Sequence, residues 1–531
     1  MGDPTPPDLI FSNANIITLD PAHPQAEVVA IHGGKILSVG QNRELKNLTC
    51  GNPTIIDCRG KTIIPGFIDA HFHLPSFAES LVAVNVGPQN SVRSISEIQN
   101  KIQQVSQDLP SGGWIRCGGY NEFYLKEKRH PTRLDLDLAT SMHPIKLTHR
   151  TGHAHVLNSL ALKLTGISKE TSDPKGGLID RDIRTGEPTG LLYGMGDFLS
   201  QSVPPLDSHQ LEHGIKLANR ELLSLGITSI QDASSRNDIE RWKLFERWKA
   251  QGRLEPRVCM MLGIKAFKDY PKDDFSVKRG KDYLRPGGVK IILDETTGRL
   301  NPTQAELNEL VSVIHQSGFQ AVIHAIEETS IQAACTAIEC ALQSSPRSDH
   351  RHRIEHCSVC PPPLSKQLAS LGIMVVTQPS FIYANGDRYL ETVPRLQLKH
   401  LYPIATLMEN GVHVAGSSDC PIGPANPMIG IYSAISRRSE TGKAVLVKEG
   451  IMPLDAVRMY TEYAARTTFE EKVKGSITPG KVADLVVLSG DPTRLPTDEI
   501  KNIQVEVTVL SGQVVWDKSG LAHNPPFEVR G

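Results

Sequence analysis

Two histidines, His71 and His73, end an apolar run that begins Thr62-Ile63-Ile64. Side chains two apart on a strand share a face, so both imidazoles converge on one point. Paired neutral imidazoles suit a borderline-soft divalent cation such as zinc; the plainer alternative is two half-exposed histidines capping a strand. Later runs close in a similar way. His324 ends Gln320-Ala321-Val322-Ile323, His356 ends Arg353-Ile354-Glu355, and Asp419 follows Val414-Ala415-Gly416-Ser417-Ser418. Each alone reads as a hydrogen-bonded core or rim residue; together, at strand ends, they read as a metal-binding set. Lys290 is the odd member. Val289, Ile291 and Leu293 share one face of its strand, so Lys290 points the other way, where an unpaired ammonium beside cations is strongly unfavourable. Two readings stay open for it: a carbamate formed with CO2, an anion whose two oxygens can bridge two cations, or an ordinary ion pair with Asp294 or Glu295.

These residues can meet only if their strands share one closed sheet. Eight short apolar runs alternate with helical stretches: 62–70, 226–231, 257–262, 288–293, 320–325, 353–357, 374–377 and 412–415. That alternation predicts an α/β fold, a distorted (β/α)8 TIM barrel over 65–474. Between the runs, 303–316 and 330–342 carry apolar residues at helical spacing. A barrel allots roughly 30 residues to each unit. The gap after the first strand is far longer, which implies an insertion of roughly 120 residues within 86–205, read as a subdomain over the active-site mouth. Both chain ends are β-rich. His32-Gly33-Gly34 and Ser511-Gly512-Gln513 each separate two apolar runs, and 1–64 with 475–531 are expected to pair into one composite β-sandwich.

Composition excludes several classes. The 57 Lys+Arg nearly balance 58 Asp+Glu, for a formal net charge of -1 over 531 residues, so neither nucleic acid nor an anionic membrane is an expected partner. The nine cysteines are scattered; only Cys357 and Cys360 are close, and they run straight into Pro361-Pro362-Pro363. A disulfide framework is not expected, which favours a cytoplasmic location. No run approaches the ~18 apolar residues of a membrane span, and the N-terminus lacks the pattern of an export signal.

Over nearly its whole length the chain resembles the amidohydrolase superfamily, in the branch of N-substituted formamide deformylase and YtcJ-like proteins. The resemblance is carried by Pro65-Gly66-Phe67-Ile68-Asp69-Ala70-His71-Phe72-His73, Gly288-Val289-Lys290, Val322-Ile323-His324-Ala325, His352-Arg353-Ile354-Glu355-His356, Ser418-Asp419-Cys420-Pro421 and Pro479-Gly480-Lys481-Val482-Ala483-Asp484-Leu485. It implies a binuclear metal centre. His71, His73 and Asp419 would bind one ion, His324 and His356 the second, and carboxylated Lys290 would bridge them; zinc is the expected metal. His153 resembles the branch's substrate-pocket histidine, and Glu122, Gln378 and Tyr383 are further pocket candidates. The chain departs from the branch at Glu295 and at Glu327-Glu328, on the pocket rim.

Two cations sharing a water lower its pKa towards neutrality. The expected reaction is therefore hydrolysis of a C–N bond in an N-acyl, N-formyl or cyclic amide. Hydroxide shared by the metals attacks, with Asp419 as general base and then general acid. The partner is a small-molecule amide, and a homodimer is compatible with the sequence. The rival reading is a mononuclear deaminase of a heterocycle, using Glu327 three residues after His324. A non-catalytic barrel is disfavoured because all six candidate positions carry a coordinating residue type.

Overall fold

The computed structural model describes residues 6–48, 51–174, 176–269, 283–295 and 298–523. Its chain divides into two compact units. One is built from Met1–Leu74, Asn219–Glu295 and Arg299–Gly531, the other mainly from Pro75–Ala218.

The first unit contains an eight-stranded parallel sheet. Its strands are β1 (Phe67–Phe72), β2 (Ile227–Asp232), β3 (Arg257–Gly263), β4 (Leu284–Ile292), β5 (Ala321–Ala325), β6 (Arg353–His356), β7 (Met374–Thr377) and β8 (Val414–Gly416). Each pairs with the next in sequence order, the arrangement that helical crossovers impose on parallel strands. The sheet closes on itself past β8: the Asp419 amide donates to the His71 carbonyl (2.9 Å) and the His73 amide to the Cys420 carbonyl (3.0 Å). This is the expected (β/α)8 barrel. A representative crossover helix, Gln304–Gln316, starts at Thr303, whose side chain caps the Glu306 amide, and buries Leu307, Val311 and Ile314 at helical spacing.

One run was expected to be a single strand over 62–70 and instead serves two sheets. Thr62–Pro65 pairs with Leu485–Leu488, whereas Phe67–Phe72 is β1. The break falls at Pro65-Gly66. A Cβ on Gly66 would lie 2.3 Å from Thr228 Oγ1, so the chain crosses between sheets where only glycine fits.

The chain ends supply two further sheets, one of four strands and one of six. Phe11, Ile16, Val29 and Ile63 share a single apolar core with Leu485, Val487, Val507 and Val509. The hairpin Val28–His32/Lys35–Gly40 turns on Gly33 and Gly34, both at positive φ, as a tight two-residue turn requires. Asp484 leads into the six-stranded sheet and accepts a bidentate ion pair from Arg257 of β3 (Nε to Oδ2 2.7 Å, Nη2 to Oδ1 3.1 Å). This buried pair fastens the terminal strands to the barrel.

The second unit has its own six-stranded sheet, ordered Leu178–Arg181, Pro188–Tyr193, Ala154–Leu157, Ile145–His149, Ile115–Tyr120 and Val84–Asn85. Ile98 and Ile102 of the helix Ile95–Ser106 pack on Ile145, Leu147 and Val156, which gives the insertion an independent core. Among the described residues no helix is long and apolar enough to cross a membrane, and the eight described cysteines are free.

Candidate metal centre

Strand ends assemble the site. His71 lies on β1 and His73 just beyond it, Lys290 on β4, His324 on β5, His356 at the end of β6, and Asp419 three residues past β8. Asp419 Oδ1 is 3.0 Å from His73 Nε2 and 3.5 Å from His71 Nε2. Lys290 Nζ donates to His71 Nε2 at 3.2 Å. Ring centroids are 5.2 Å apart for His71 and His73, 5.0 Å for His71 and His356, and 4.3 Å for His324 and His356. All six metal-ligand candidates thus lie in one cluster.

Two of them arrive on a bent backbone. In a regular strand His356 would face away from its neighbour Glu355, yet His356 sits at φ +71 and Asp419 at φ +55. Non-glycine residues in this region are uncommon and gather at functional sites. Here the turn brings His356 to the same cluster as His71 without forcing Glu355 out of the barrel.

Burial sets the electrostatics. Lys290 is 1 % exposed, and burial pushes its ammonium down to about 8, against the opposing pull of Glu355 and Asp419. His71 is lowered well below its ordinary value by burial and then by the Lys290 charge, and burial also lowers His356. Both imidazoles are therefore neutral at pH 7. Burial alone would raise Asp419, but the hydrogen bond from His73 and the surrounding imidazoles outweigh it and hold the carboxyl well below the usual range.

The donor set fits divalent cations. His71, His73 and Asp419 each offer an atom within 4.8 Å of the others, and His324, His356 and the buried amine of Lys290 stand beside them. A neutral imidazole and a carboxylate are the ligand forms such ions need.

A second layer, missed in the sequence reading, fixes this set. Glu355 Oε2 accepts from His71 Nδ1, and Arg353 grips both oxygens of Glu355. Asp69 Oδ1 accepts the amides of His71 (3.2 Å) and Ser418 (3.1 Å) across the seam between β1 and the segment after β8; burial pushes its carboxyl up to about 7. Asp232, at the end of β2, accepts the Leu74 and Ser234 amides, and Ser234 Oγ meets His73 Nδ1 at 3.3 Å. The available signal was period-2 alternation: Arg353 and Glu355 are charged, two apart, and inside a strand otherwise destined for burial.

The pocket candidates have distinct surroundings. Gln378 is fully buried, its Oε1 on His356 Nδ1 (2.8 Å) and its Nε2 on Ser417 Oγ (3.0 Å). Tyr383 is half-buried and meets the Tyr432 ring edge-on at 5.9 Å. Glu122 and His153 belong to the second unit. Within it, Glu122 Oε2 accepts from His149 Nε2 at 2.7 Å. Burial raises the Glu122 carboxyl, but the bond and charge from His149 prevail and hold it at about 2. His153 is exposed in the turn before Ala154–Leu157.

Comparison with known proteins gives the family and the fold. The profile of the amidohydrolase family matches residues 54–516. The protein YtcJ of Bacillus subtilis (strain 168) is 28% identical over 537 residues, covering 96% of this chain and 99% of YtcJ. N-substituted formamide deformylase from Arthrobacter pascens is 28% identical over 543 residues, 97% of this chain and 99% of that enzyme. Among solved structures, an uncharacterized metal-dependent hydrolase from Pyrococcus horikoshii OT3 superposes with a TM-score of 0.74 at 22% identity, covering 92% of this chain and 99% of its own, and shares the fold.

Proposed function

The chain belongs to the amidohydrolase family, and on that premise we propose that it hydrolyses the C–N bond of a small N-acyl, N-formyl or cyclic amide at a binuclear centre. The observation that carries this reading is the meeting of four imidazoles, Asp419 and buried Lys290 at one mouth of the barrel. The kinship to a formamide deformylase supports the amide class.

His71, His73 and Asp419 would hold one cation and His324 and His356 the other, with Lys290 between them as a carbamate. An amine with its pKa near 8 is partly neutral at pH 7, and the neutral amine is the form that adds CO2. The bound cations would supply Lewis acidity, polarising the amide carbonyl and making water a stronger acid. Asp419 Oδ1 faces the Nε2 atoms of His71 and His73. A carboxylate held in its charged form at this point can take a proton from the attacking water and deliver it to the departing nitrogen. The Asp419 amide, tied to the His71 carbonyl of β1 (2.9 Å), holds the group in place through both transfers.

Glu327 supports this reading over a deaminase. Its carboxylate accepts from Gln397 Nε2 (2.9 Å), and its backbone amide donates to Ser330 Oγ (3.1 Å) at the start of the helix Glu328–Ser344, so the side chain is engaged by Gln397 and not poised as the acid/base that a mononuclear site would need.

Metal analysis tests the proposal: two divalent ions per folded chain are expected, and one or none overturns the binuclear reading. D419N should lower kcat on N-formyl and N-acyl amines by about 10²–10⁴-fold while the zinc-loaded protein stays folded. Full retained activity would remove Asp419 from the proton path.

A further inference from the structure

Three of the cluster's imidazoles, those of His71, His73 and His356, differ in what stands behind them. His73 Nδ1 has a serine hydroxyl, Ser234 Oγ, at 3.3 Å. His356 Nδ1 has a neutral amide oxygen, Gln378 Oε1, at 2.8 Å. His71 Nδ1 faces the carboxylate of Glu355, across 284 residues of sequence. A carboxylate can only accept, so His71 carries its proton on Nδ1 and presents the bare Nε2 to the cluster.

Glu355 is itself held. Arg353 Nε donates to Oε1 at 2.6 Å and Nη2 to Oε2 at 3.0 Å. The same guanidinium reaches Gln231 Oε1 (2.5 Å) on β2 and the Ala70 carbonyl (2.7 Å) on β1, one residue before His71. Both side chains of the pair are 0% exposed. Stability alone does not account for so deep an ion pair, since desolvation offsets its Coulomb energy and an apolar pair of equal volume packs as well. A fixed carboxylate behind one imidazole does account for it. Such a partner sets the tautomer and ring orientation of a metal-ligating histidine and raises its basicity, and a charge-assisted hydrogen bond is roughly twice as strong as a neutral one.

Resting on the binuclear reading above, we propose that Glu355, clamped by Arg353, is a positioning residue. It fixes His71 as an Nε2 donor and strengthens selectively the cation position that His71 shares with His73 and Asp419. Gln378, being neutral, does the same for His356 only weakly.

Zinc competition against a chromophoric chelator, on full-length protein stripped of metal, tests this. E355Q should weaken one of the two zinc positions by about 10–100-fold and leave the other unchanged; Q378M should affect the other position by less. Because E355Q leaves Arg353 without its counter-charge, R353M/E355Q removes both charges together and should show the same selective loss. Unchanged zinc affinities in a folded variant, or equal weakening at both positions, would reduce Glu355 to a structural partner of Arg353. Wild-type protein gives an independent readout. Proton NMR of 15N-histidine-labelled protein should contain a far-downfield Nδ1–H resonance that persists when zinc binds and is missing from H71Q. Its absence overturns the proposal even if no variant folds. A chain that binds no zinc would defeat the proposed function, whereas one that binds two ions indifferent to Glu355 would defeat only this inference.

Discussion

Replacing His352 with Asn should make the barrel less sensitive to acid. His315, His350 and His352 form a chain at the N-terminal ends of β5 and β6, the strands whose opposite ends deliver His324 and His356. His352 Nδ1 accepts from the Ala321 amide at 2.9 Å and its Nε2 meets His315 Nδ1 at 2.8 Å; His315 Nε2 donates to the Ser345 carbonyl at 2.6 Å. His350 Nδ1 accepts from the His352 amide and its Nε2 donates to the Leu371 carbonyl, each at 2.9 Å. Amides only donate and carbonyls only accept, so each ring must keep a bare Nδ1 and a protonated Nε2. Burial, followed by the charges of His350, Arg347 and His315, holds His352 down to about 2 from an ordinary 6.5; burial lowers His350 as well. The unfolded chain takes up a proton on His352 below about pH 6.5 and the folded chain does not until about pH 2. Stability from this residue is therefore complete above pH 6.5 and lost as pH falls through that window. Between pH 7 and pH 5 the loss is about 2 kcal/mol, at roughly 1.4 kcal/mol per pH unit below 6.5. Asn keeps an acceptor for the Ala321 amide and cannot titrate, but it leaves His315 Nδ1 without its donor. H352N should therefore be about 1–3 kcal/mol less stable at pH 7, and the gap should shrink by about 2 kcal/mol at pH 5. Urea unfolding followed through tryptophan fluorescence measures both gaps, with Trp242 and Trp248 as buried reporters. A gap at pH 5 equal to or wider than that at pH 7 refutes the neutral-chain account.

Two further outcomes are expected. K290M removes the proposed bridge and should lower zinc content from two ions towards one, with the ion at His71, His73 and Asp419 retained; plasma emission spectrometry that still finds two ions would exclude a bridging carbamate. D484N breaks the buried pair with Arg257 and should destabilise the folded chain by about 3–5 kcal/mol, read in urea unfolding. Zinc affinity of the folded fraction should not change, since Asp484 lies just before the terminal strand Leu485–Leu488 and not in the cluster.

What a sequence can reveal is largely local, and here much was. Strand periodicity put His71 and His73 on one face, and the apolar runs alternating with helical ones marked all eight barrel strands to within a few residues. Turn chemistry located the Gly33-Gly34 and Ser511-Gly512 hairpins, because positive φ is a property of individual residues. Family resemblance added an expectation for which residue holds which ion, and that pairing is part of the proposal. Closure of the barrel decided the rest. Thr62–Pro65 and β1 read as one strand until Thr228 is packed against Gly66. His356 would face outward from β6 but for its left-handed backbone. Glu355 and His71 meet, as do Asp69 and the Ser418 amide, only when β1 is brought beside β8 and opposite β6. Direction along a strand is written in a two-residue period, whereas partnership across a barrel depends on which strands become neighbours. The chain carries the first kind of information and leaves the second to the packing.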